Sequence, residues 1–234
     1  MRRLGRLISI LVGLSVRGFF EAGWTGFRRS HPAAKLLIAP LGIALVYLHA
    51  AKGAAIVEAV IAVLLALSGD PGWALSLEAL LLLPAAWAAA SSLALSILGV
   101  SPITPTQALE IMLRYHAAGL AIAYPAATIN PMDAYNAAAR LTSPGRAAAI
   151  LAAYRLLPHG LNTFREAIET ASTKNPPIHS ALAAATAAVL EEAEGVIEAA
   201  KYRAPRTRRV RLERDWRWTL LEAAAAAILA ATLP

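Results

Sequence analysis

No cysteine occurs in the 234 residues. That excludes disulfide bonds, thiolate nucleophiles and Cys-based metal sites. Charge is also scarce, at 16% Asp, Glu, Lys and Arg, where ordinary domains carry about 25%. Aromatic residues make up 6% and are not interleaved with the arginines. The stacking platform that single-stranded nucleic acid requires is therefore missing, and no nucleic-acid partner is expected. No His-Glu-x-x-His, Gly-x-Ser-x-Gly or P-loop pattern occurs, so nothing points to a hydrolase or nucleotide-binding enzyme. His31, His49, His116, His159 and His179 are scattered without ligand spacing. No metal site, cofactor or catalytic residue is expected.

What the chain has in excess is apolar side chains, 58% of all residues, with a mean hydropathy of +0.54. A single core of this length cannot hide so many. They are blocked rather than spread, and five stretches read as membrane spans: residues 36–50, 54–68, 73–100, 106–128 and 216–233. Lys52 and Gly53 leave room only for a tight turn, so the first two stretches read as a helical hairpin or as two short, partly interfacial helices. Asp70-Pro71-Gly72 breaks the chain next. Pro84 invites a kink in the third stretch. Glu110 and Arg114 stand four apart and can pair on one helix face. Trp216 and Trp218 suit an interface at the start of the last stretch.

Net charge is +7 and the isoelectric point about 10.1. The arginines cluster at the N-terminus and between residues 140 and 217. The positive-inside rule then puts the N-terminus and residues 129–215 in the cytoplasm of a multi-pass plasma-membrane protein. Four regions follow: a basic amphipathic segment 1–35 lying in the interface, spans within 36–128, a polar helical segment 129–215, and a C-terminal span 216–234. In the polar segment, prolines set a rhythm of helix and break. A short helix starts after Asn130-Pro131 and another at Pro144. Pro158 and Gly160 end that one, a helix over 161–173 follows, and Asn175-Pro176-Pro177 precedes a long helix over 178–203. Glu58, Glu78, Glu110 and Glu222 all fall near span ends, which favours helix-end solvation or arginine pairing over an ion path. Glu191, Glu192, Glu194 and Glu198 read as a solvated face, and Arg206 to Arg211 as a lipid-headgroup anchor or a partner-binding stretch.

The order of features resembles the transmembrane T component, EcfT/CbiQ-like, of energy-coupling factor ABC transporters. Ser30-His31-Pro32-Ala33-Ala34-Lys35 is similar to that family's lead-in to its first span, and Thr128 to Asp133 to its Pro-containing turn. Tyr154-Arg155-Leu156-Leu157-Pro158 is similar to its Arg-x-x-Pro element. Glu166 to Ala171 and Ala199 to Ala204 resemble the approaches to its two arginine-centred signatures. The resemblance implies an all-α polytopic membrane protein with about five transmembrane helices and two long cytoplasmic coupling helices, at 161–174 and 178–204. It implies two ABC-type ATPase partners, docked at Ser172, Thr173 and Lys174 and at Tyr202, Arg203 and Ala204. Arg155, Pro158, Glu166 and Glu169 would support them. A small membrane substrate-binding component would select a vitamin or metal ion. Two departures from the pattern stand out: Lys174 replaces the first arginine, and Arg203 lacks a following glycine. The chain itself would hydrolyse nothing. Other readings are a self-contained secondary transporter or channel, a membrane enzyme, and a membrane anchor with a basic lipid-binding segment.

Overall fold

A computed structural model of the chain describes residues 2–21, 26–174, 178–203 and 212–234. Among them every regular element is helical: α1 Arg2–Val16, α2 Pro32–Leu67, α3 Pro71–Ile97, α4 Pro105–Thr128, α5 Pro131–Leu141, α6 Pro144–Lys174, α7 Ile178–Arg203 and α8 Trp216–Ala231. A π-helical turn at Arg17–Glu21 and a 3-10 turn at Gly26–Arg29 join α1 to α2. Helices α2 to α6 each open on a proline, whose fixed φ suits the first turn and whose missing N–H is not needed there. The residues before four of these prolines cap with their side chains: His31, Asp70, Thr104 and Asn130. The chain divides into two compact units. Unit 1 is Met1–Val16 with Asn130–Glu213, and unit 2 is Arg17–Ile129 with Arg214–Pro234.

In unit 2, α2 is not one straight rod. Ala50 takes φ 49° and ψ −124°, and the helix folds back there. A Cβ on Gly42 would touch Val57, and one on Gly53 would strike the Leu45 carbonyl, so the two arms lie side by side. Gly53 is thus required by close approach. The hairpin expected from Lys52-Gly53 is present, but the strained residue is Ala50. Positive φ costs an alanine about 1–3 kcal/mol. Ala50→Gly is therefore expected to stabilise unit 2 by about 1 kcal/mol in urea titrations followed by tryptophan fluorescence. All five tryptophans, at positions 24, 73, 87, 216 and 218, fall within the sequence ranges of this unit.

The hairpin packs chiefly on α4, with α3 on another side of α4 and α8 against α2. Ile38, Leu45, Val57, Ile61, Trp73, Leu77, Leu120, Tyr124 and Leu229 form one buried cluster. Trp73 opens α3, and its indole N–H donates to the Gly18 carbonyl at 2.7 Å. Past Pro84, α3 leaves Trp87, Leu95 and Ile97 exposed.

The expected five spans are not found. Two described helices, α2 and α3, are long and apolar enough to cross a membrane by length and composition, and one of these is the folded hairpin. The apolar stretch 106–128 is spent inside unit 2. There α4 buries His116, Ala117, Leu120 and Tyr124 against neighbouring helices. The last stretch forms a helix of 16 residues that buries Glu222 beside Leu229. Hydropathy registers that a side chain avoids water, not what covers it, and here much of the cover is other helices. The cytoplasmic placement of the N-terminus and of residues 129–215 depended on those crossings and falls with them.

Unit 1 is held by α6, against which α1, α5 and α7 pack. Its α5–α6 contact buries Tyr135, Ala139, Ala147 and Ala148. Helix α6 runs unbroken through Pro158, where a break was expected. Gly160, also expected to interrupt it, instead lets the Val189 side chain of α7 come close. On α1, Ser9 meets Glu169 and accepts from the Arg165 guanidinium at 3.1 Å, while Arg165 and Glu169 pair at 3.0 Å. The Ser9 hydroxyl, with Arg165 assisting, holds the Glu169 carboxyl below its usual range.

Candidate functional site

Helix α4 carries the most chemistry in unit 2. Its start is fixed by a capping box, in which Thr104 accepts from the Gln107 N–H and the Gln107 side chain accepts from the Thr104 N–H at 2.8 Å. Beyond this cap, residues spaced three and four apart share a face, and two such faces carry functional side chains.

One face bears Ile111, Arg114, Tyr115 and Ala118. It meets Ile43, Val46 and Tyr47 of the N-terminal arm of α2 around a groove of about 340 Å³. Six of these seven residues present carbon or an aromatic ring, and Arg114 is the one cation. The expected Glu110–Arg114 pair does not form, and Arg114 has no hydrogen-bond or ion-pair partner among the described residues. The two helices run antiparallel. Lys35 reaches the Thr128 carbonyl at 2.9 Å, and seven residues further along α2, Gly42 meets Ala121, seven residues back on α4.

A different face of α4 carries His116, which is buried. Its Nδ1 lies 2.9 Å from Glu58 Oε1 on the C-terminal arm of α2, and its Nε2 lies 3.2 Å from Glu78 Oε2 on α3. Hydrogen bonds to Glu58, then to Glu78, push the imidazole up to about 10. The ring is thus an imidazolium donating from both nitrogens, one to each flanking helix. The two nitrogens address separate carboxylates, so the three side chains do not converge on one point. Among the described residues no group of three or more His, Asp or Glu side chains is arranged to hold a metal.

The third polar set is buried at its centre, where Ser30, Lys35, Tyr124 and Glu222 lie. Glu222 of α8 accepts from the Tyr124 hydroxyl at 2.9 Å and from the Ser30 hydroxyl. Lys35 is 0% exposed and donates to the Phe27 carbonyl at 2.6 Å as well as to Thr128. Arg28 donates to the carbonyls of Phe19, Phe20 and Ala127, and Arg214 to that of Ser30. Cations at the carbonyl end of α4 complement its dipole. Burial pushes the Glu222 carboxyl up, opposed by the charge of Lys35 and by the two hydroxyl donors. Burial, reinforced by Glu222, pushes the Tyr124 hydroxyl well up.

The residues expected to dock ATPases lie in unit 1. Ser172, Thr173 and Lys174 end α6, and Tyr202 and Arg203 end α7, with their side chains outside the described residues. Ala204 and the Arg155 side chain also lie outside them. Pro158 is half-buried within α6, Glu166 is exposed, and Glu169 is engaged by Ser9 and Arg165. Sequence spacing does not reveal the arrangement that unit 2 assembles: along the chain Glu58, Glu78 and Glu222 stand as separate helix-end acids, and His116 as one of five scattered histidines.

No family model matches the chain, and no curated protein or solved structure matches it either. The resemblance to the energy-coupling factor T component therefore does not hold, since the fold also offers two candidate spans in place of about five. The transport scaffold, the two ATPase subunits, the membrane substrate-binding component and the multi-pass plasma-membrane location go with it. The alternatives of a secondary transporter or a channel rested on the same spans and go as well.

Proposed function

We propose that unit 2 is a binding module that takes a small apolar ligand between the N-terminal arm of α2 and α4, without chemistry of its own. The groove carries this reading. Its volume of about 340 Å³ lies at the lower end of small-molecule sites, which run about 300–1,000 Å³ and combine mostly apolar walls with few polar groups. The His116 bridge supports it by fixing α4 to its other two neighbours, so that the wall carrying Ile111, Tyr115 and Ala118 is held in place.

The test is saturable binding of a neutral naphthyl fluorophore. Ala118→Trp fills the groove and is expected to weaken binding about tenfold or more. Trp87→Ala removes an exposed ring on α3, away from the groove lining, and should leave the affinity unchanged. Equal binding by wild type and Ala118→Trp would overturn the proposal.

A further inference from the structure

The groove has one charged position, and its charge is unspent. We infer that the ligand is a single-chain anionic amphiphile, a long-chain carboxylate whose tail lies along the groove and whose head is held by Arg114. This rests on the binding reading above and names its ligand class.

Arg114 carries it: the side chain is half-buried at an apolar wall and without a partner among the described residues. A guanidinium in that setting has lost part of its water and offers a planar fork that matches a carboxylate with two parallel hydrogen bonds. The antiparallel register that pairs Lys35 with Thr128 and Gly42 with Ala121 puts Arg114 at the end of the helix pair nearer the Ala50 reversal. The rest of the lining continues towards Ile43 and Ala118 as apolar surface, a wall for a methylene chain. The groove is at the small end of ligand sites, so one chain is the occupant chosen over the two chains of a diacyl lipid.

The experiment is displacement of the neutral naphthyl probe by three ligands of equal chain length: dodecanoate, dodecanol and dodecyltrimethylammonium. On wild type, dodecanoate should displace at a concentration about tenfold or more below the other two, as one charge-assisted contact implies. Arg114→Gln should bring dodecanoate to the level of dodecanol while leaving dodecanol unchanged. Arg114→Lys keeps the charge without the fork and should fall between. Equal displacement by dodecanoate and dodecanol on wild type would overturn the inference and leave the groove reading standing. So would loss of both ligands together in Arg114→Gln, because that marks a structural role. Failure of the probe to bind wild type at all would instead remove the groove reading itself. Anionic phospholipid vesicles that compete on wild type better than dodecanoate would overturn the choice of a single free chain.

Discussion

Lys35→Met is expected to destabilise unit 2 by about 3–5 kcal/mol, because a buried charge is then left without its opposite. The ammonium is 0% exposed and ends on two carbonyls, those of Phe27 and Thr128. The Thr128 carbonyl sits at the C-terminal end of α4, where helical backbone runs out of N–H partners, so it loses its donor, whereas the Phe27 carbonyl keeps the Ser30 N–H and hydroxyl. The larger cost falls on Glu222, whose burial Lys35 offsets. Methionine keeps much of the volume, which confines the effect to charge and hydrogen bonding. The second variant separates the two contributions. Glu222→Gln keeps one acceptor oxygen for either Ser30 or Tyr124, turns an amide N–H to the other hydroxyl, and should cost about 1–2 kcal/mol. In the double variant no carboxylate is stranded, so the total should fall short of the sum by about 1–3 kcal/mol, a coupling of the size seen between residues in one network. Tryptophan fluorescence in urea reads this unit. A Lys35→Met protein within 1 kcal/mol of wild type would refute the expectation.

The second large effect depends on pH. In the folded protein His116 is pushed up to about 10 from 6.5. A raised pKa means that the native state holds the proton more tightly than the unfolded chain does. The resulting stability is complete below about pH 6.5 and is lost as pH climbs through about 10. At about 1.36 kcal/mol per unit, the shift taken at face value would approach 5 kcal/mol. The carboxylates of Glu58 and Glu78 are 29% and 34% exposed, so water screens them and about 2–3 kcal/mol is the better expectation. Wild type should lose that amount between pH 6 and pH 10.5 relative to His116→Phe. Comparing the two proteins at each pH cancels the tyrosines and lysines that ionise in the same range. Parallel pH profiles for wild type and His116→Phe would show that the bridge contributes nothing.

Much of the fold is legible in short-range chemistry. The prolines at 32, 71, 105, 131 and 144 open helices because a first-turn residue needs no N–H. Lys52-Gly53 announced the chain reversal, although the positive φ fell on Ala50. Pro158 shows the limit of the same reasoning. It breaks an isolated helix, yet here α6 continues through it, packed along its length against α1, α5 and α7. The number of crossings was misread for a related reason. Leu120 and Leu229 look the same to a hydropathy window whether lipid or another helix covers them, and here both lie in the helical core. The site was hidden more deeply. Glu58, Glu78 and His116 come from three helices, and no spacing rule links them. Arg114 was visible but assigned to Glu110, four residues away. The choice between that neighbour and an open groove is made by tertiary packing.

The fold also fixes an order of events during synthesis. Ser30, Lys35 and Tyr124 leave the ribosome early, while the carboxylate they enclose belongs to residue 222. Residues 130–213, most of unit 1, must be polymerised in between. At about 5–20 residues per second that is a wait of roughly 4–17 s. Throughout it α2 and α4 can pair, but the ammonium of Lys35 has no counter-charge and the flank of α2 that α8 covers stays bare. The nascent chain therefore passes through a defined half-assembled state, open to chaperones and to aggregation, that closes only when the last helix arrives.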